Sequence, residues 1–143
     1  MNMLLSSLDK MLEVLASLSD IMDAEQQQLS AGQVNSNLLQ RITEDKSALL
    51  ATLNYIEQMR REASEKSGLH APYSDQPQLA QRWSLIQQSS IRLRDKNQHN
   101  ALLLNHQMAH TEQMLNALRP LQSQQFYGPD GQATGQRFFS HKD

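Results

Sequence analysis

"LLSSLDKMLEVLASLSDIM", residues 4–22, decides the fold. Leu4, Leu8, Met11, Leu15, Leu18 and Met22 follow one another at 4-3-4-3-4 spacing. That spacing keeps all six apolar side chains on one seam of an α-helix, at the 3.5-residue repeat of coiled coils. A half-buried strand would need alternation with period two, which is absent here. Leu5, Leu12, Val14 and Ile21 flank the seam and widen it. So broad a stripe suits a helix with two neighbours better than one in a simple pair. The pattern predicts a first helix over about residues 3–30, with Gly32 in "SAGQ" as its C-terminal signal.

Reading outward, Asn35 or Ser36 can cap a second helix over about residues 36–65. Its seam is Leu39, Ile42, Lys46, Leu49, Leu53 and Ile56. Lys46 interrupts the apolar series, and its head is expected to reach solvent on a long apolar stem. Glu57 and Arg61 form an i, i+4 pair of the favourable orientation. In "SGLHAPYSDQPQ", Gly68, Pro72 and Pro77 then mark a loop. A third helix is expected over about residues 78–119, since no breaker intervenes before Pro120. Its seam begins with Leu79, Trp83, Ile86 and Leu93 and turns polar at Asn97, Asn100, Gln107 and Thr111 before Met114 and Leu118. The expected fold is all-α: an antiparallel three-helix hairpin or bundle with coiled-coil-like seams, forming one domain over residues 1–119. Residues 120–143 lose the apolar period and carry "GPDG", a turn signature, so a flexible tail is expected there.

Composition supports this reading. Aromatics make up only 5% of the 143 residues, so the core must be aliphatic. The net charge of −2 gives no general affinity for nucleic acid. Charge is uneven along the chain, with residues 1–31 mostly acidic and residues 79–119 mostly basic. Segments of opposite sign can lie side by side in a bundle. A basic groove for RNA fits less well, because no stacking aromatics accompany the arginines. The absence of cysteine excludes disulfides, thiolate metal sites and cysteine nucleophiles. The N-terminus lacks a basic segment before its apolar residues, and no apolar run reaches the roughly 20 residues of a membrane span. A soluble, cytoplasmic protein without membrane insertion is expected.

Little in the chain points to catalysis. His106 and His110 are i, i+4, with His99 further back, but a functional metal site needs a third ligand, and Glu112 lies elsewhere on the helical wheel. Exposed or interhelical histidine is the simpler reading, so no metal or other cofactor is expected. Glu44 and Asp45 are adjacent on a helix and do not face each other. There is no glycine-rich phosphate loop. The expectation is that the protein is not an enzyme.

"ALLLNHQM" is more suggestive. Leu102, Leu103 and Leu104 sweep about 200° around a helix. Leu104 takes the seam, Leu103 flanks it, and Leu102 faces away; Met108 and Leu115 also lie off the seam. One reading is a wider core stripe or a shifted heptad frame. The other is a partner-binding face, for which pliant Leu and Met side chains are suited.

Several stretches resemble a known family. "MDAEQQQLSAGQVN", "LQRITEDKSALLATLNYIEQ", "LRDKNQHNALLL" and "FYGPDGQ" look like FlgN, the flagellar export chaperones of enteric bacteria, over roughly residues 20–60 and 78–132. Lys96 departs from the apolar residue expected before "NQHN". The resemblance implies a small cytoplasmic chaperone of the flagellar type III export system. Such a chaperone binds the amphipathic C-terminal helix of the hook-filament junction proteins FlgK and FlgL. It prevents their premature association and delivers them to the export gate protein FlhA, without using ATP or metal. The resemblance places client binding in the C-terminal portion of the chain, where Leu102, Leu103, Met108 and Leu115 are the candidates. Tyr127, in "YGPDGQ", is the implied gate-docking residue, with Phe126 beside it. A structural coiled-coil protein acting by homo-oligomerisation through the same seams is the alternative.

The tail holds all three phenylalanines, Phe126, Phe138 and Phe139, among glycines and prolines that rarely pack into a core. Phe126 and Tyr127 can fold back on the bundle or serve as a tethered aromatic anchor for a partner, with Tyr127 as the contact; Phe138 and Phe139 are given no role.

Overall fold

The computed structural model describes residues 2–122, with side chains as far as Leu118. Three helices account for most of them: α1 (Asn2–Leu29), α2 (Ser36–Ser67) and α3 (Pro77–Gln122). No strand occurs among the described residues. The chain divides into two units, the first ending at Leu104 and the second beginning at Asn105.

The first unit is a three-helix bundle. Asp9 pairs with Arg82 and Asp23 with Lys96, so α1 and α3 climb together and run parallel. Lys46 meets Asn97, while Arg60 lies over Trp83, so α2 runs antiparallel to α3. The order is therefore up-down-up. The predicted opposition of charge is realised here: acidic α1 faces basic residues of α3.

Every residue of the 4–22 seam is buried, from Leu4 and Leu8 at 0% exposure to Met11 at 6%. They form one cluster with Ile56 and Ala63 of α2 and Leu79, Ile86 and Leu93 of α3. Full burial of one such side chain stabilises the fold by about 1.5–3 kcal/mol before entropy is charged against it. Ile42 and Leu29 are also buried but lie outside this cluster.

The helix ends follow local chemistry. Asn35 has an extended backbone, and its side-chain oxygen accepts the Leu38 amide at 3.2 Å, capping α2. Gly68 closes α2 in the left-handed region, at φ 71°, where a β-carbon would be strained. The predicted glycine stop for α1 is corrected: α1 ends at Leu29, and Gly32 does not take a left-handed cap conformation. The expected stop at Pro120 is passed as well, since α3 continues to Gln122.

The loop between α2 and α3 is more than a connector. Tyr73 sits in it with φ 61° and is only 3% exposed, part of the same apolar cluster. A turn holds it from both sides: its amide donates to His70 O at 2.9 Å, and its carbonyl accepts from Gln76 at 3.0 Å.

In the second unit, Gln107 and Met108 are half-buried, and every residue from Ala109 to Leu118 is exposed. Met114, Leu115 and Leu118 are 53%, 56% and 42% exposed.

Candidate functional site

Three arrangements in the first unit stand out: two bring polar groups together and serve the bundle, and the third is an open trough. The first is centred on Arg60. Its guanidinium clasps Glu57 through two bonds of 2.8 and 2.6 Å and donates to the Tyr73 hydroxyl at 2.7 Å. It also lies 4.6 Å from the ring centre of Trp83, which meets Tyr73 edge-on at 5.9 Å. Ser64 shares the Tyr73 hydroxyl at 2.7 Å. The Glu57 hydrogen bond, opposed by burial and helped by Tyr73, raises the Arg60 pKa further above its ordinary value. Burial alone would raise Glu57, but the hydrogen bonds and charges of Arg60 and Arg61 outweigh it and hold the carboxyl below its ordinary value. A carboxylate held ionised between two guanidiniums is a poor general acid or base near neutral pH. The cluster instead fastens the loop to α2 and α3.

The expected Glu57–Arg61 pair is present at 3.1 Å, although Arg61 is largely exposed. Arg60 carries more of the packing, and sequence reasoning passed over it. The available signal was a charged residue in register with the α2 seam, four positions after Ile56.

The second arrangement overturns the expectation for Lys46. Its ammonium turns to partners on two other helices: it binds Glu25 of α1 at 3.2 Å and Asn97 of α3, and the side chain is 17% exposed. Asn100 completes this layer with 3% exposure. The third arrangement is an open trough between α2 and α3, about 630 Å³, whose walls include Leu53, Glu57, Trp83, Ile86 and Ile91. It converges no nucleophile, base and oxyanion donor on one point, as covalent catalysis requires.

The residues singled out for partner binding lie on α3. In the first unit Leu102 is 68% exposed, whereas Leu103 and Leu104 are half-buried. In the second unit Met108 is half-buried and Leu115 is 56% exposed. Helical spacing puts Met108, Leu115 and Leu118 on one face, with Met114 beside it. Exposed apolar side chains of this kind are candidates for a binding surface. His106 and His110 are exposed in the same segment, and among the described residues no group of three or more His, Asp or Glu side chains could hold a metal. Tyr127, Phe126, Phe138 and Phe139 lie outside the described residues, as does the expected tail from residue 123 onward.

The chain combines an all-α bundle in its first unit with exposed apolar side chains along α3. Its sequence relationships specify the system. The FlgN protein family profile matches residues 1–135, and the chain belongs to the FlgN family. It is 49% identical over 127 residues to the flagella synthesis protein FlgN of Salmonella typhimurium, covering 89% of this chain and 87% of that one. The flagella synthesis protein FlgN of Escherichia coli K12 is 42% identical over 134 residues, covering 94% and 92%. The corresponding Yersinia enterocolitica protein is 41% identical over 137 residues, covering 96% and 93%. The chain is therefore a flagellum biogenesis protein. No helix among its described residues is long and apolar enough to cross a membrane.

Proposed function

We propose that this chain is a cytoplasmic export chaperone of the flagellar type III system. It binds the amphipathic C-terminal helix of the hook-filament junction proteins FlgK and FlgL, keeps them from associating early, and delivers them to the export gate protein FlhA. The observation that carries this reading is the exposed apolar surface of α3, with Leu102 in the first unit and Met114, Leu115 and Leu118 in the second. A client helix laid against such a surface buries its own apolar stripe, and a buried stripe is unavailable for self-association. Burial of roughly 400 Å² supplies about 10 kcal/mol gross. Most of that is offset by lost freedom and ordering, leaving an affinity weak enough for handover. Tyr127, with Phe126, is the gate-docking element in this proposal.

The test is titration of the full chain with a peptide of the FlgK C-terminal helix, read by calorimetry and light scattering. A 1:1 complex is expected. The variant carrying Leu102→Ser, Leu103→Ser, Met108→Ser and Leu115→Ser should bind at least about tenfold more weakly, the order of an interface hot spot. Tyr127→Ala should leave peptide binding intact and weaken capture by FlhA. No complex with the peptide, together with a homo-oligomer that the serine variant dissociates, would replace this reading by the coiled-coil alternative.

A further inference from the structure

A polar layer crosses the interior of the first unit. Lys46 of α2 donates to both carboxylate oxygens of Glu25 of α1, at 3.2 and 3.4 Å, and to the side-chain oxygen of Asn97 of α3. Asn100 of α3 donates to Glu25 at 2.7 Å and to the backbone carbonyl of Met22 at 2.9 Å. Glu25 and Asn100 are 9% and 3% exposed, the Lys46 side chain is half-buried at 17%, and Asn97 closes the layer at the surface, where it is exposed. Among the described residues no buried side-chain nitrogen or oxygen lacks a partner, so the layer is satisfied. It also divides the apolar interior. The main cluster spans Leu4 to Met22 of α1, whereas Leu29 and Ile42, one turn beyond Glu25 and Lys46, are buried outside it.

All three helices contribute, and each side chain in the layer finds a partner on a different helix. The surrounding pattern is repetitive. Leu79, Ile86, Leu93 and Asn100 follow one another at seven-residue intervals on α3, against the heptads of α1. Apolar packing alone tolerates a slide of α3 by one heptad, since one leucine then takes the place of another. The polar layer does not. Such a slide would set Asn100 among the leucines around Leu15 and Leu18, or bring Leu93 opposite Glu25 and Lys46. Either way, buried polar groups lose their partners, which is much costlier than exchanging one apolar contact for another. A polar residue at a seam position fixes register in coiled coils by the same means.

We propose that Glu25, Lys46, Asn97 and Asn100 form a register lock that holds α3 in a single alignment against α1 and α2. The lock determines which α3 residues the bundle covers. Leu93 is enclosed at 8% exposure, while Leu102 stays outside at 68%.

The chain has no cysteine, so engineered pairs report alignment without background. Asp9 and Arg82 are ion-paired across α1 and α3 and serve as the native reporter when both are changed to cysteine. Asp9→Cys with Ser89→Cys reports a slide of one heptad, about 10 Å along the helix. With a short bismaleimide, the full-length chain should give the 9–82 product and almost no 9–89 product. Replacing all four layer residues by leucine should raise the 9–89 product about tenfold or more, with helicity retained and the thermal midpoint raised. The Glu25→Gln, Lys46→Gln variant keeps polar groups in the layer and should give the native product alone. Lys46→Met supplies the same readout should the fourfold variant not fold. If neither variant produces the 9–89 product above the wild-type level, the layer is not a register lock.

Discussion

Leu8 and Leu115 are the same residue type, each on a long helix and each on an apolar face, yet one is 0% and the other 56% exposed. Around Leu8, two further helices cover the seam. In the second unit, the seam residues Met114 and Leu118 are exposed too. The contrast shows what helical periodicity encodes. It specifies that a face seeks apolar cover, but not which chain supplies the cover. Where the bundle supplies it, the face becomes core. Where the described chain does not, the same pattern stays exposed.

The most direct way to break this contrast is to truncate both leucines. Leu8→Ala should lower the unfolding free energy by about 3 kcal/mol, within the range for a buried leucine whose cavity cannot fully collapse. Leu115→Ala should change stability by less than about 0.5 kcal/mol, as expected for an exposed position. Urea denaturation followed by circular dichroism measures both. Equal losses would mean that Leu115 is covered in solution and is not a binding surface.

The legibility of the chain follows the same division. The α1 seam could be read without error because six apolar residues at coiled-coil spacing admit one helical face, and burial then follows. Family membership and the all-α fold were legible as well, through long segments shared in order with FlgN. Lys46 was misread because a local pattern shows only that a cation interrupts a seam. Its partners, Glu25 and Asn97, are 21 and 51 residues away. Asn97 and Asn100 were seen to sit on the seam, but the layer they complete needs all three helices to be assembled. Tyr73 was hidden in a segment whose prolines and glycine marked it as loop. Helix caps were partly legible: Asn35 served as read, whereas the left-handed glycine was Gly68 and not Gly32. Of the candidate site residues on α3, Leu102 and Leu115 are exposed as the helical spacing implied, whereas Leu103 and Met108 are half-buried. A local pattern does not say what, if anything, covers such residues.

The loop latch offers a second, smaller test. Tyr73→Phe keeps the ring against Trp83 but removes the hydroxyl shared by Arg60 and Ser64. Both groups are left without that bond in a buried place, so a loss of about 1–3 kcal/mol is expected. The loss belongs to the first unit, and peptide binding well below the melting temperature should be unaffected. A Tyr73→Phe protein as stable as the parent would show that water replaces the hydroxyl and that the loop is not fastened there.

The smallest effect is the pH dependence tied to Glu57. Its carboxyl titrates below the ordinary 4.5 in the folded protein, because the hydrogen bonds and charges of Arg60 and Arg61 outweigh the opposing effect of burial. A depressed folded pKa means that the unfolded chain takes up the proton first as pH falls. The stabilisation from Glu57 is therefore fully present above about pH 5, declines as pH drops below the unfolded value, and is gone once pH has fallen through the folded value. Since Glu57 is partly exposed, solvent screening keeps the contribution to about 1 kcal/mol or less. Glu57→Gln should lower stability slightly at pH 7 and leave less to lose between pH 5 and 3. Urea titrations at several pH values, with the variant subtracted from the parent, isolate this contribution from that of the other carboxylates. A difference that stays constant from pH 7 to 3 would show that the Arg60 clasp stabilises by packing and not by charge. That outcome would place Glu57 with the buried seam residues, whose contribution does not depend on protonation.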